Sequence, residues 1–276
     1  MHSTGELIDI ALKEDIGCGD ITTDSVVSPH LTGLGDVMAK DDFVVAGLGV
    51  ARSVFIQLDS TVDFSTDFKD GDFIKIGQVV FSVQGKLASI LKAERTALNF
   101  IQRLSGIATL THAYVDRLKN THVRVVDTRK TTPGWRALEK YAVKIGGGSN
   151  HRMGLYDGVL IKDNHIAACG GILAAVARAR KEVHHLVKIE VEVTNPQELT
   201  EALSAGVDVI MLDNMTPEQI HKAVKQINGQ VLVEVSGNVT LDNLSQLAEA
   251  GVDFISVGAL THSAKSADMS MKIRKQ

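Results

Sequence analysis

The chain has 276 residues, 44% of them hydrophobic but only 4% aromatic, and a formal net charge of -4 at pH 7. That length holds one large α/β barrel or two unequal domains with a sizeable core, which excludes a disordered chain, while the acidic balance argues against the broad basic face that nucleic acid requires. Charges or Gly interrupt every apolar run before the ~18 residues needed to cross a bilayer, and two distant cysteines, Cys18 and Cys169, with no Cys-x-x-Cys and no apolar leader, predict a soluble protein of a reducing cytoplasm.

The N-terminal part reads as an α+β domain. Residues 6–14 are amphipathic and helical, and strand-like pieces follow at 34–39, 43–45 and 73–83, separated by turn signals at Asp70-Gly71 and Ile76-Gly77. Residues 89–107 carry Ile90, Ala93, Ala97, Leu98, Ile101, Leu104 and Ile107 on a helical stripe, which predicts a helix bridging two domains. From Val123 onward one unit recurs: a short apolar run, a polar or Gly turn, then a helical stretch. The predicted strands are 123–126, 158–161, 186–193, 207–212, 231–235 and 254–257, and the helices are 172–182, 196–205 behind Asn195, 217–227 behind Thr216, and 241–250. Such alternation implies parallel strands. Six units are too few for an eightfold barrel, so an incomplete, open α/β barrel fits best, with a doubly wound sheet as its rival. The expected division is 1–107, then 108–265, then a tail at 266–276 whose Met269, Met271 and Ile273 pack back on the N-terminal domain.

Residues 127–165 hold seven cations (Arg129, Lys130, Arg136, Lys140, Lys144, Arg152, Lys162) against four acids, in a chain that is acidic overall. A local excess of guanidinium groups suits a small, multiply anionic ligand, because each Arg fork meets a carboxylate or phosphate with paired hydrogen bonds. The strand ends read Asp127-Thr128-Arg129-Lys130, Lys162-Asp163-Asn164-His165, Glu192, Asp213-Asn214, Ser236-Gly237-Asn238 and Gly258-Ala259. One polar strand end is ordinarily a solvated loop. A run of them at the face where barrel enzymes place their sites points to function.

In Lys188-Ile189-Glu190-Val191-Glu192-Val193 the period of two sets the charged residues on one face, and helices covering the outside leave the barrel interior for them. Lys188 and Glu190 are expected to pair internally. Glu192, nearest the mouth, is then the free acid and Asp213 a second, suited to a ribose diol, Mg2+ or a cationic transition state. The Gly-bearing loops at Ser236-Gly237-Asn238 and Gly258 are expected to cradle a phosphate, and Gly146-Gly147-Gly148 reads as a flexible connection.

Glu14-Asp15-Ile16-Gly17-Cys18-Gly19-Asp20-Ile21-Thr22, Glu94-Arg95-Thr96-Ala97-Leu98-Asn99, Asp127-Thr128-Arg129-Lys130-Thr131, Asn150-His151-Arg152, Ile161-Lys162-Asp163-Asn164-His165, Glu190-Val191-Glu192 and Ser236-Gly237-Asn238 together resemble the quinolinate phosphoribosyltransferase family over nearly the whole chain. The resemblance implies an N-terminal α/β sandwich domain ahead of an open α/β barrel. It also implies the transfer of a phosphoribosyl group from phosphoribosyl pyrophosphate to quinolinate with Mg2+, giving nicotinate mononucleotide, pyrophosphate and carbon dioxide. By the same resemblance Arg129, His151, Arg152 and Lys162 hold the two pyridine carboxylates, Thr128 is a further substrate-binding residue, and Arg95 reaches that pocket from the partner subunit of a homodimer. Lys130 would meet the pyrophosphate, Glu192 and Asp213 the ribose hydroxyls and metal, and Ser236, Gly237, Asn238 and Gly258 the 5'-phosphate. A related enzyme acting on another heteroaromatic acid is the near alternative, and a silent sensor of phosphorylated metabolites the distant one. Trp135 stands where an aliphatic residue is expected after Pro133-Gly134.

Overall fold

The structure, a computed structural model, describes residues 3–275. In chain order the elements are α1 (Thr4–Ile16), α2 (Ile21–Val26), β1 (Thr32–Ala39), β2 (Phe43–Val44), α3 (Leu48–Leu58), β3 (Asp63–Ser65), β4 (Phe73–Ile74), β5 (Val79–Lys86) and α4 (Leu87–Arg117). Then come β6 (Arg124–Val126), α5 (Arg136–Ile145), β7 (Val159–Ile161), α6 (Asp163–Cys169), α7 (Ile172–Glu182), β8 (Ile189–Val193), α8 (Pro196–Ser204), β9 (Val209–Asp213), α9 (Pro217–Ile227), β10 (Leu232–Ser236), α10 (Leu244–Glu249), β11 (Phe254–Ser256), α11 (Ala259–His262) and β12 (Met269–Lys275). Two compact units result. One takes the chain through His112 together with Thr131–Gly147 and the residues from Thr261; the other is Ala113–Lys130 with Gly148–Leu260.

The first unit is built on an antiparallel sheet in the order β12-β1-β5-β3. Val37, Ala39, Phe81 and Val83 are buried, with Phe81 stacked on Phe64 at 4.7 Å and edge-on to Phe55 at 6.2 Å. The tail contributes β12, whose Met269 is buried while Ile273 stays partly exposed. The helix α5 belongs here as well, at residues over which the sequence pattern predicts no element. Fully buried Glu139 holds it by accepting from Arg103 Nη2 at 3.1 Å, Thr132 N at 3.0 Å and Thr132 Oγ1 at 2.9 Å. Trp135 lies on Phe100 with ring centroids 4.6 Å apart and 14° between planes, so its unexpected ring fills space by stacking. Gly146-Gly147-Gly148 is no flexible connection: a Cβ on Gly146 would come within 2.4 Å of the Ala108 carbonyl, so the first glycine lets α5 end against α4.

The second unit holds one sheet in the order β6-β11-β10-β9-β8-β7, every pair parallel. Successive strands from β7 to β11 lie side by side and β6 joins next to β11. This is an α/β barrel open between its first two strands, and no internal reversal of strand order marks the doubly wound rival. Helices α7 and α9 span the residues predicted for them. Asn195 caps α8 by accepting from Glu198 N at 2.9 Å, and Thr216 with Gln219 forms a capping box on α9. Among the described residues no helix is long and apolar enough to cross a membrane.

Candidate active site

Register and pleat decide which side chains share the barrel interior. Neighbours in a parallel ladder lie on one face, and Glu192 pairs with Met211, Met211 with Glu234, and Asp213 with Ser236. Alternation therefore puts Glu190, Glu192, Asp213, Glu234 and Ser236 on one side, while Ile189, Val191, Val193, Ile210, Leu212, Val233 and Val235 are all buried on the other. Strand C-termini carry the polar ends of this face. Lys162, following β7, extends its ammonium to form an ion pair with Glu192.

Asp213, closing β9, accepts from Asn214 Nδ2 at 2.7 Å. Asn214 is left-handed, with φ 53°, and its amide donates to the Ser236 carbonyl at 3.0 Å while Asn238 Nδ2 donates to its Oδ1 at 3.2 Å. The acid and the glycine loop are thus tied through one asparagine. Gly237 has φ 94°, and a Cβ there would lie 2.2 Å from Asn214 Oδ1, so no side chain is tolerated without displacing that link. Gly258 makes the turn after β11.

The cationic segments are organised by Asp127 at the end of β6. It is fully buried, and accepts from Asn150 Nδ2 at 2.6 Å and from His151 N at 2.9 Å. Ser149 bridges to Val126, so the segment carrying His151 and Arg152 is laid against the strand that ends in Thr128, Arg129 and Lys130. Thr128 Oγ1 accepts from Lys130 N at 3.0 Å, and both Arg129 and Lys130 are exposed. Arg152 Nη1 donates to the Gly158 carbonyl at 2.9 Å. Burial and then the nearby Arg129 charge lower its pKa, which shows two guanidinium groups sharing one region, and Glu190 works in the opposite direction.

Deeper in the same unit lies a cluster the sequence reading did not foresee. The expected Lys188–Glu190 pair is absent: β8 begins at Ile189, Lys188 lies exposed ahead of it, and Glu190 Oε2 meets His151 Nε2 at 3.1 Å. Glu234 Oε1 lies 3.7 Å from the same nitrogen. His151 Nδ1 accepts from Arg152 N at 2.8 Å, so both ring nitrogens are engaged inside the protein. Among the described residues Oε1 of Glu190 and Oε1 of Glu234 are buried with no hydrogen-bond partner. Burial first, then the Glu190 charge, pushes the Glu234 carboxyl up to about 8, against the opposing pull of His151, a Ser256 hydrogen bond and Lys162. Glu234 carried a legible signal, since Val-Glu-Val-Ser alternates as Glu190-Val-Glu192 does.

The structure therefore brings Thr128, Arg129, Lys130, His151, Arg152, Lys162, Glu192, Asp213, Ser236, Gly237, Asn238 and Gly258 into one unit, whereas Arg95 stands exposed on α4 in the first. Models of the N-terminal and C-terminal domains of quinolinate phosphoribosyl transferase match residues 20–105 and 107–272. A probable nicotinate-nucleotide pyrophosphorylase [carboxylating] of Bacillus subtilis is 46% identical over 97% of this chain and 92% of its own length. A quinolinate phosphoribosyltransferase [decarboxylating] of Nicotiana glauca is 41% identical over 99% of this chain and 83% of its own. Crystal structures of NadC from Streptococcus pyogenes and of a nicotinate-nucleotide pyrophosphorylase from Ehrlichia chaffeensis superpose with TM-scores of 0.94 and 0.95. Their identities are 44% and 42%, covering 98% and 99% of this chain and 96% and 99% of theirs. With both domain models matched in order and relatives this similar along nearly its whole length, the chain belongs to the quinolinate phosphoribosyl transferase family.

Proposed function

We propose that the protein joins quinolinate to phosphoribosyl pyrophosphate, releasing pyrophosphate and carbon dioxide and forming nicotinate mononucleotide, a step of de novo NAD synthesis. One observation carries the reading: Arg129 and Lys162 follow strands of the parallel sheet whose C-terminal ends bear Glu192 and Asp213, and Arg152 stands on the segment that the Ser149–Val126 bridge lays against β6. The cations suit the two carboxylates of the pyridine, with Thr128 beside them. His151 serves that group through its bond to the Arg152 amide. Lys130 faces the pyrophosphate, and Ser236, Gly237, Asn238 and Gly258 supply donors for the 5'-phosphate.

As the bond from ribose C1 to pyrophosphate breaks, its electron pair leaves with the diphosphate and positive charge builds on C1. Glu192 and Asp213 stabilise that charge while the pyridine nitrogen lone pair forms the new bond. The C2–carboxyl bond then breaks, its electron pair settles beside the cationic ring nitrogen, and a proton replaces the departed carbon dioxide. No side-chain nucleophile is required; the protein's work is positioning. The two acids offer hard oxygen donors, each already holding one N–H partner. This donor set fits a hydrated Mg2+ met through substrate and water better than a protein cage. Such an ion, when bound, supplies charge neutralisation on the leaving diphosphate.

The test is incubation with quinolinate, phosphoribosyl pyrophosphate and Mg2+, following nicotinate mononucleotide. Nicotinate should be a far poorer substrate, because cations arranged for two carboxylates stay unpaired with one; a preference for nicotinate or another acid overturns the reading. The working unit is a homodimer in which Arg95, exposed on α4, enters the partner's site. Mixing two inactive variants, Arg95→Ala and Glu192→Gln, should restore part of the activity if sites are shared between copies. Its place is the cytoplasm, in keeping with cysteines that are both free.

A further inference from the structure

We propose that Glu234 stands as a neutral carboxylic acid in the working protein and is a positioning residue, keeping the His151 ring neutral and aligned on the Arg152 amide. The inference rests on the assignment of Arg152 to the pyridine carboxylates and adds a means of holding it.

His151, Glu190 and Glu234 each aim one ligand atom into a space where these atoms lie within 4.8 Å of one another. Two carboxylates this buried, each with an oxygen left without a partner, need a compensating positive species. A divalent cation and a proton are the candidates, and the imidazole decides between them. A metal requires the Nε2 lone pair, hence a proton on Nδ1. The Arg152 N–H points at Nδ1 from 2.8 Å, so Nδ1 must accept and Nε2 carries the hydrogen toward Glu190. The same contact disfavours an imidazolium, whose Nδ1–H would face another donor. The proton therefore belongs on a carboxyl group.

Glu190 accepts from His151 Nε2 at 3.1 Å, whereas Glu234 is more buried, with 5% of its side chain exposed against 10%, and comes no closer to Nε2 than 3.7 Å. Glu234 takes the proton. The groups acting on it are Glu190 from β8, His151 from the segment ahead of β7, Lys162 after β7 and the Ser256 hydroxyl from β11. Ionising Glu234 would release its proton to solvent and leave a second anion beside Glu190; repulsion between the two carboxylates would disturb the Glu190–His151 contact, draw the ring out of line with the Arg152 amide and let Arg152 turn.

Glu234→Gln tests this, because glutamine is a neutral isostere of the protonated acid. At pH 7 its kcat/KM for quinolinate should stay within about threefold of the parent. In the parent the KM for quinolinate should rise as pH passes about 8, and in Glu234→Gln that rise should move to higher pH. A carboxyl infrared band in the difference spectrum of parent and variant, present at neutral pH and lost above about 8, reads the proton without substrate. If the parent fails to turn over quinolinate, the functional reading falls while the band still decides the state of Glu234. A loss of about a hundredfold in Glu234→Gln, an unmoved alkaline limb, or no such band overturns the proposal. So does stoichiometric Zn2+ binding to the parent that His151→Ala abolishes.

Discussion

Both units bury carboxylates, and one pair in the second differs from the rest. In the first, Asp36 meets Arg274 and accepts from Ser82 Oγ at 2.7 Å, and Glu139 is met by Arg103 and Thr132. In the second, Glu190 and Glu234 each leave a buried oxygen without a partner. A buried charge that is fully paired acts as a structural fastening, and removing one partner strands the other. Buried acids with unused oxygens are tolerated where protonation relieves them, and where a nearby ligand makes their arrangement useful.

Four substitutions break or sharpen that contrast. Glu139→Ala should lower stability by about 3–5 kcal/mol in a urea titration, because Arg103 is left mostly buried with only the Ala264 and Thr261 carbonyls and no counter-charge; a loss below about 1 kcal/mol would place Glu139 among weak surface pairs. Glu192→Gln should cost about 3–4 kcal/mol in transition-state stabilisation, read as a fall in kcat of some hundred- to thousandfold with quinolinate affinity nearly kept. The reverse pattern would remove its role at C1. Arg152→Ala should lose a charge-assisted contact of about 1.5–3 kcal/mol, roughly ten- to a hundredfold in kcat/KM for quinolinate.

Glu234→Gln should act on stability through its pH dependence, and with a definite sign. The folded-state carboxyl pKa is raised above the ordinary value of 4.5, so the folded protein binds the proton more tightly than the unfolded chain. Parent stability should fall as pH rises from about 4.5 to about 8, and the variant should lack that fall. Thermal melts across this window check it; parallel curves would mean that Glu234 ionises as it does in water.

The second unit was far more legible than the first. Strands β6 to β11 stand out as short apolar runs, and β8 and β9 are followed by helices with their own local caps, Asn195 and Thr216. Helix α3 carries no such mark: Gly47 offers no side-chain cap, and the donors at Gly47 N and Leu48 N are met by Asp70, each at 3.0 Å, from more than twenty residues away. The helix α5 was hidden for a similar reason. Its fastening is Glu139 to Arg103, a partner on another element, and its flanking glycines look flexible until Ala108 and Thr111 are seen against Gly146. At the site, the strand-end residues could be named from the repeat. The Asp127 anchor, the Asn214 link and the Glu190–His151 contact could not, because each joins residues about twenty to forty positions apart.

What the sequence determined alone was local and periodic: parallel strands from alternation, polar strand ends from composition, an inward acidic row from the period of two, and a family from its motifs. Tertiary structure decided the partners. Whether a buried acid meets an arginine, a histidine or nothing depends on strand register and on loops folding back, and burial then sets which carboxyl keeps its proton. Hence Glu190 looked like half of a lysine pair in the chain and stands in the fold between His151 and Glu234.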